Sequence, residues 1–379
     1  MKKKVISILV VMSMIGTLLT GCGATSKDGT DSAVTSEDKT VAGNSETKET
    51  PTADKTFKVG FAQKTLENEF QTALANGLVE AGKKAGIEVT VLDAKNDIAN
   101  EQTNMETFIS QGYDLIFINV VDTQAATASI EAANEAGIPV IGIDSHVADD
   151  APVVTNISAP DRENGRVVGL YAVTQYDSDE MISAAILSGN KGNPGGQDRR
   201  VGEFCGILEG RLGCSEDEAW TFAETFDQEL TDNGKAVNEE AKFEVVAQGW
   251  GNWTTDEGLP AMEDILVANG TINCLLGEND SMLIGGAQAI EEVGKSDQIQ
   301  IFAAADSMKE ALQLIKDGTN YKASGLNNPE LVAAKGIEVA VEILFEGKDP
   351  SSFDNKVTTD PVAVTIDNVD EYYDPDAIF

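Results

Sequence analysis

The sequence predicts an α/β protein of two lobes, each a doubly wound parallel sheet covered by helices on both faces. Three observations predict it. Short apolar, β-prone runs alternate with stretches whose apolar residues recur at i, i+3/i+4. The runs are apolar throughout, as strands buried on both faces are. The alternation comes as two series, separated where the pattern breaks at 153–160.

The elements follow in order. Phe57–Gln63 is apolar and β-prone, and a helix follows through Phe70, Ala73, Leu74, Gly77, Leu78 and Ala81, stopped by Gly86. Next come a strand at 87–92, a helix through Ile98, Gln102, Met105 and Ile109, a strand at 114–121, a helix at 123–136 and a strand at 138–143. The second series opens with a strand at 181–187 and continues with strands at 243–246, 272–276, 299–304 and 321–325. Ligands of such open sheets bind beyond the carboxyl ends of the strands.

The N-terminus predicts export. Lys2, Lys3 and Lys4 form a positive region, and the apolar run at 5–19 is too short and one-sided for a stable membrane span. It ends in Leu19-Thr20-Gly21-Cys22, which resembles the bacterial lipobox. That resemblance implies a signal peptide at 1–21, lipidation of Cys22, and a mature protein held on the outer face of the cytoplasmic membrane. Residues 22–56 read as a tether: rich in Thr, Ser, Gly and charge, without apolar period, they cannot offset their chain entropy. Roughly 320 residues remain, enough for two cores.

Composition narrows the partners. A net charge of −37, more acidic still without the signal lysines, opposes nucleic acid and anionic lipid, which need Lys and Arg to neutralise phosphate. No cofactor or metal is expected. Cys205, Cys214 and Cys274 show no paired CxxC spacing and no neighbouring histidine. A Cys205–Cys214 disulfide is compatible with export, but free thiols are the favoured reading. His146 is the only histidine, which excludes HExxH zinc sites. No catalytic carboxylate pair or Ser/His/Asp set stands at the strand ends, so an enzyme is not expected.

Those strand ends carry polar side chains and one aromatic: Lys64 to Phe70, Asp144-Ser145, the glycine-rich 189–200 segment with Arg199-Arg200, Trp253, Asn279-Asp280, Asp306 and Asn327-Asn328. Paired donors and acceptors with an aromatic face suit sugar hydroxyls and the C–H side of a sugar ring. Plainer readings stand beside this one. Asp144, Asp280 and Asp306 precede expected helices and could be N-caps; that reading is accepted for Asp280, and ligand contact is favoured for Asp144 and Asp306. Phe70 and Trp253 could be core aromatics, and His146 a surface residue. Segment 189–196 lacks both the Lys-Ser/Thr pair of a P-loop and the GxGxxG pattern.

From 57 to about 365 the chain resembles the periplasmic pentose/hexose-binding proteins, those for ribose and for galactose/glucose. The resemblance rests on Thr65-Leu66-x-Asn68-x-Phe70, on Gly277-x-Asn279-Asp280-x-Met282, and on Asp306 followed by a helix ending Lys316-Asp317-Gly318. Gly189-x-x-Gly192-x-Pro194-x4-Arg199 with Trp253 downstream is nearer the galactose/glucose branch. It implies the type I periplasmic binding fold and a monomer that delivers a monosaccharide to an ABC permease complex. It also implies ligand contacts at Asn68, Phe70, Asp144, Arg199, Trp253, Asn279, Asp306 and Asn327, with Arg200 competing with Arg199 in the ribose-type register.

Departures limit the carry-over. Ser145 stands where ribose binders have Arg. Lys64 stands where the galactose/glucose branch has an aromatic, and Asn193 and Gly195 where it has His and Asp. Asp177 to Glu180 lacks the spaced oxygens of that branch's calcium loop, so no calcium is expected there. Autoinducer-2 binders place a lysine at Lys64, but their residues at the Asn279 edge are absent. A receptor-coupled sensor is therefore the alternative to transport.

The family topology implies three hinge crossings, near 156–160, 324–327 and 355–358. One lobe is then 57–158 with 327–355, and the other 159–326 with 356–379. Segment 213–241 looks inserted: Ser215 and Glu218 form a capping box opening a helix through Trp220, Phe222, Ala223 and Phe226. It reads either as an added surface helix or as an importer contact.

Overall fold

The computed structural model describes residues 56–379; the expected signal, Cys22 and nearly all of the expected tether lie outside them. None of the described helices is long and apolar enough to cross a membrane.

The chain runs β1 Phe57–Gln63, α1 Glu69–Ala85, β2 Ile87–Asp93, α2 Ile98–Ser110, β3 Leu115–Asn119, α3 Thr127–Glu135, β4 Val140–Ile143 and β5 Asn156–Ser158. It continues α4 Asp161–Val173, β6 Ile182–Ser188, α5 Pro194–Leu212, α6 Glu216–Asn233, β7 Ala236–Asn238, β8 Phe243–Trp250, α7 Thr255–Ala268, β9 Cys274–Gly277 and α8 Asp280–Glu292. It ends β10 Gln300–Asp306, α9 Lys309–Lys316, β11 Tyr321–Leu326, α10 Pro329–Leu344, β12 Lys356–Thr358, β13 Ala363–Thr365 and α11 Val369–Tyr372. Two sheets result, in the orders β12-β5-β4-β3-β1-β2 and β13-β11-β10-β9-β6-β8-β7. The first is parallel throughout; the second is parallel but for its edges, where β13 and β7 run antiparallel to β11 and β8.

Strands β1 to β5 of the first sheet, and β6, β8, β9, β10 and β11 of the second, take the order 2-1-3-4-5, so the strand order reverses beside the first strand of each. The switch points lie between β1 and β3 and between β6 and β9. Each sheet is sandwiched between two apolar layers. In the first, Val59 and Phe61 of β1 join Leu74 and Leu78 of α1 on one face, while Ala62 joins Met105 and Phe108 of α2 on the other. Alternate residues of one strand thus feed both layers. α1 starts because the Asn68 side chain accepts from Gln71 N, and stops because Gly86 takes φ +79°.

The lobes meet through three crossings: after β5, after β11 and after β12. The third lies beyond Thr358. Lys356–Thr358 pairs with β5 in the first sheet, so the expected boundary at 355/356 falls too early. Backbone pairing to β5 holds these residues, a long-range partner no local pattern reveals. Asn164 of α4 binds the other two crossings together: its Nδ2 donates to Leu326 O (2.8 Å) and its Oδ1 accepts from Val362 N (3.1 Å).

α4 and α5 pack almost backbone on backbone. A Cβ on Gly165 would collide with the Arg199 carbonyl, and one on Gly202 with the Arg162 carbonyl. This approach brings the start of α4 beside Arg199. Segment 213–241 forms α6 and β7, and the capping box at Ser215/Glu218 is present. Its buried stripe is Ala219, Ala223, Phe226 and Leu230, with Phe226 stacked 4.8 Å from Phe243. Phe222, expected on that stripe, is 42% exposed, because the apolar face turns toward Phe204 and Phe243 instead. Cys205, Cys214 and Cys274 are free thiols.

Candidate functional site

At the carboxyl edge of the first sheet, polar residues close on one another. Lys64, just past β1, donates from Nζ to Asp144 Oδ2 (3.3 Å) and Ser145 Oγ (2.7 Å). Asp144 Oδ2 also accepts from Gln71 Nε2 (3.0 Å) and Asn119 Nδ2 (3.1 Å). Asn119 Nδ2 lies 2.8 Å from Gln63 Oε1 and 2.7 Å from Gln71 Oε1 as well, so three acceptors compete for two hydrogens. Burial would raise the Asp144 pKa. The Lys64 charge and the amide donors outweigh it and hold the carboxyl below its usual range.

The second sheet's edge is built around Arg199. Its Nε donates to Asp161 Oδ1 (2.9 Å), and its Nη1 to Asp306 Oδ1 (3.2 Å) and Glu278 O (3.1 Å). The guanidinium carbon lies 5.8 Å from the Trp253 ring centre. Asn327 Nδ2 also donates to Asp306 Oδ1 (3.0 Å). Burial raises the Asp306 carboxyl against the pull of Arg199 and Asn327. Burial opposes the Arg199 charge, but Asp161 and Asp306 hold it firmly protonated. Among the described residues no protein group engages Asp306 Oδ2 or Arg199 Nη2, and neither atom is sealed from solvent.

The two edges face each other. The Asp144 charge acts on both Arg199 and Asp306. Phe70 of α1 meets Phe379 edge-on, with ring centres 5.2 Å apart. Backbone strain concentrates at the same edges: Asp144 (φ +65°), Asn252 (+46°), Trp253 (+66°) and Ser307 (+61°) are left-handed non-glycine residues just past β4, β8 and β10. Such conformations cost about 1–3 kcal/mol each and cluster at functional sites. Cavities of about 360 and 740 Å³ lie at the opposite, amino ends of the strands, around Ile138 and Asn320. They are remote from this chemistry.

The expected residues therefore separate. Lys64, Asp144, Arg199, Trp253, Asp306 and Asn327 come together. Arg200, adjacent to Arg199, turns away: its guanidinium bonds Asp227 Oδ1 and Glu278 Oε1, each at 2.6 Å. Phe70 stands at the rim against Phe379. Asn68 and Asn279 are N-caps, accepting from Gln71 N and Met282 N; Asn279 Nδ2 reaches the Trp253 carbonyl (3.4 Å).

The N-cap readings also change. Asp280, expected as a cap, yields that place to Asn279 and turns inward. Its carboxylate accepts from Asp306 N, Met308 N, Ser324 Oγ and Tyr321 Oη. Burial and the Asp306 charge push its pKa up to about 7. Asp306 is not a cap, because α9 begins after Met308. Asp144 is not one either, because the next helix begins at Asp161. His146 is half-buried, and its carbonyl accepts from Thr123 Oγ1.

Gln63, Gln71, Asn119, Asp161 and Glu278 went unnoticed in the sequence. Gln63 and Asn119 carried a signal: each is the polar last residue of an otherwise largely apolar strand.

The profile of the periplasmic binding protein domain matches residues 59–349. The ribose import binding protein of Bacillus subtilis (strain 168) is 30% identical over 296 residues, 78% of this chain and 84% of that relative. The xylitol-binding protein of Mycolicibacterium smegmatis is 25% identical over 312 residues, 80% of this chain and 76% of that relative. Among solved structures, a periplasmic solute-binding protein of an ABC transporter from Actinobacillus succinogenes 130z, with bound D-allose, has a TM-score of 0.68 at 22% identity. It covers 83% of this chain and 100% of that one, a likeness of fold. The chain belongs to the periplasmic binding protein family.

Proposed function

We propose that this protein is an extracytoplasmic solute-binding lipoprotein that captures a neutral monosaccharide or related polyol and delivers it to an ABC importer. The observation that carries the reading is the open donor and acceptor pair, Arg199 Nη2 and Asp306 Oδ2, beside the Trp253 ring and opposite the Lys64–Asp144 edge. Adjacent hydroxyls offer the complementary acceptor and donor, and an aromatic suits the apolar side of a sugar ring. Opposite charges are already paired on both edges, so an ionic ligand would meet a like charge whichever its sign. The names of the curated relatives, ribose and xylitol binders among them, support the same class.

Binding works by closure. A ligand touching both lobes favours the closed form by its extra contacts there, and the three crossings tied by Asn164 serve as the hinge. The importer then reads the closed form. No catalytic step is assigned to the protein.

The test is a thermal-shift screen of the described body against D-ribose, D-allose, D-galactose, xylitol and myo-inositol. A cleft ligand at about 100 times its Kd raises stability by about 2.7 kcal/mol, a clear rise in Tm. No rise with any of them overturns the sugar and polyol reading. The anchor is tested separately: Cys22→Ala should move the full chain from the membrane pellet to the soluble fraction, and retention in the pellet overturns lipidation at Cys22.

A further inference from the structure

The inserted helix reaches the candidate site through a continuous buried chain. Asp227 of α6 is 4% exposed, Arg200 10% and Glu278 1%. Arg200 Nε meets Asp227 Oδ1 at 2.6 Å, and Gln197 Nε2 holds Asp227 Oδ2 at 3.0 Å. Arg200 Nη1 meets Glu278 Oε1 at 2.6 Å, and Glu278 Oε2 accepts from Gly189 N at 2.7 Å. Gly189 is the floor of Trp253: a Cβ there would overlap the indole at Cε2. Gly196 admits the same ring, since a Cβ on it would lie 2.9 Å from Trp253 Cη2 and collide with Glu278 Oε2. Glu278 is shared, because its backbone carbonyl accepts from Arg199 Nη1 while its side chain holds Arg200.

We propose that Asp227, Arg200 and Glu278 are positioning residues, through which the inserted helix sets the Gly189–Trp253 wall of the binding site and the place of Arg199. The inference rests on the solute-binding reading for its purpose, but its geometry stands alone. A buried arginine between two carboxylates is held in one rotamer only while both remain charged, and losing one partner leaves an uncompensated charge. With Asn in place of Asp227, Arg200 loses the charge of its outer partner, its hold on Glu278 loosens, and Gly189 N loses its aligned acceptor. Trp253, already in a left-handed backbone conformation, then loses the floor that holds its ring. The competing view is that α6 merely adds apolar packing through Phe226 against Phe204 and Phe243. The two views predict different responses at Trp253.

The experiment uses a Trp220→Phe/Trp250→Phe background, which leaves Trp253 as the single reporter. Asp227→Asn is compared with Phe226→Leu, which weakens the α6 packing without touching the ion chain. Acrylamide quenching of Trp253 is measured without ligand, then affinity for D-ribose, D-allose and myo-inositol. Asp227→Asn should raise the quenching constant about twofold as the ring loosens, and weaken each sugar the background binds about tenfold. Phe226→Leu should lower Tm while leaving quenching and affinity at the background values. Unchanged quenching in Asp227→Asn, or quenching that tracks Tm in both variants, overturns the proposal. If the background binds none of the three, quenching by itself decides the positioning role, and the five-ligand screen decides the sugar reading. Should Asp227→Asn not fold, Glu278→Gln is judged by the same quenching criterion.

Discussion

The two edges of the site solve one problem in opposite ways. On the first lobe, Lys64, Gln71 and Asn119 all donate to Asp144 Oδ2 and pull its carboxyl below its usual range. On the second, Asp306 sits among Arg199, Asn327 and two further carboxylates, its own carboxyl raised by burial, with one oxygen left open. The first edge holds its carboxylate ionised, with one oxygen, Oδ1, open. The second holds its carboxylate nearer to protonation, with Oδ2 open. Each lobe thus leaves one carboxylate oxygen open, which suits a protein that closes on a ligand touching both.

Asp306→Ala should break the comparison hardest. It leaves Arg199 Nη1 and Asn327 Nδ2 facing a gap inside a desolvated site, at about 1–3 kcal/mol, or one to two decades in affinity. Stability should fall as well, because Arg199 loses one charge partner in the free protein, while Asp161 and the Glu278 carbonyl still hold it in place. Calorimetric titration with whichever sugar the screen returns checks it; parental affinity would place the ligand elsewhere.

Gly189→Ala should act next most strongly. Its methyl would overlap the Trp253 indole, and forcing that ring aside costs about 1–3 kcal/mol of overpacking. Affinity should drop with a shift in tryptophan emission. If emission and affinity stay parental, the indole is not a wall of the site.

Lys64→Met should give the smallest and most pH-dependent effect. In the parent the lowered Asp144 pKa contributes stability above the unfolded value of about 3.9, lost as pH falls through the lower folded value. Without the lysine charge, burial raises the folded pKa and that contribution shrinks. The variant should melt below the parent at pH 7, and the gap should close in acid, where Asp144 is protonated in both. A gap independent of pH would deny the coupling.

Much of this architecture was legible in the chain. Phe57–Gln63 and its helix ending at Gly86 were readable because an unbroken apolar run, a 3.6-residue stripe and a glycine stop are all local signals. Strand β5 and helix α4 were not read, although the break at 153–160 marked the first crossing. Three-residue Asn156–Ser158 owes its strand state to neighbours at Gly142 and Lys356, not to its own residues.

The sequence by itself determined the two α/β series, the α6 capping box and the set of polar residues at strand ends, because those depend on periodicity and on spacing within a few residues. Only the tertiary structure decided which neighbour of a pair serves which purpose. Arg199 and Arg200 are adjacent and chemically identical, yet about 100° of helix rotation turns one toward Asp306 and the other toward Asp227. Asn279 takes the cap expected of Asp280 because the cap belongs to the residue that keeps an extended backbone, and Asp280, within the helix, turns inward. Charge partners 27, 78 and 107 residues away hold the two arginines, and they come within reach only once the chain has folded.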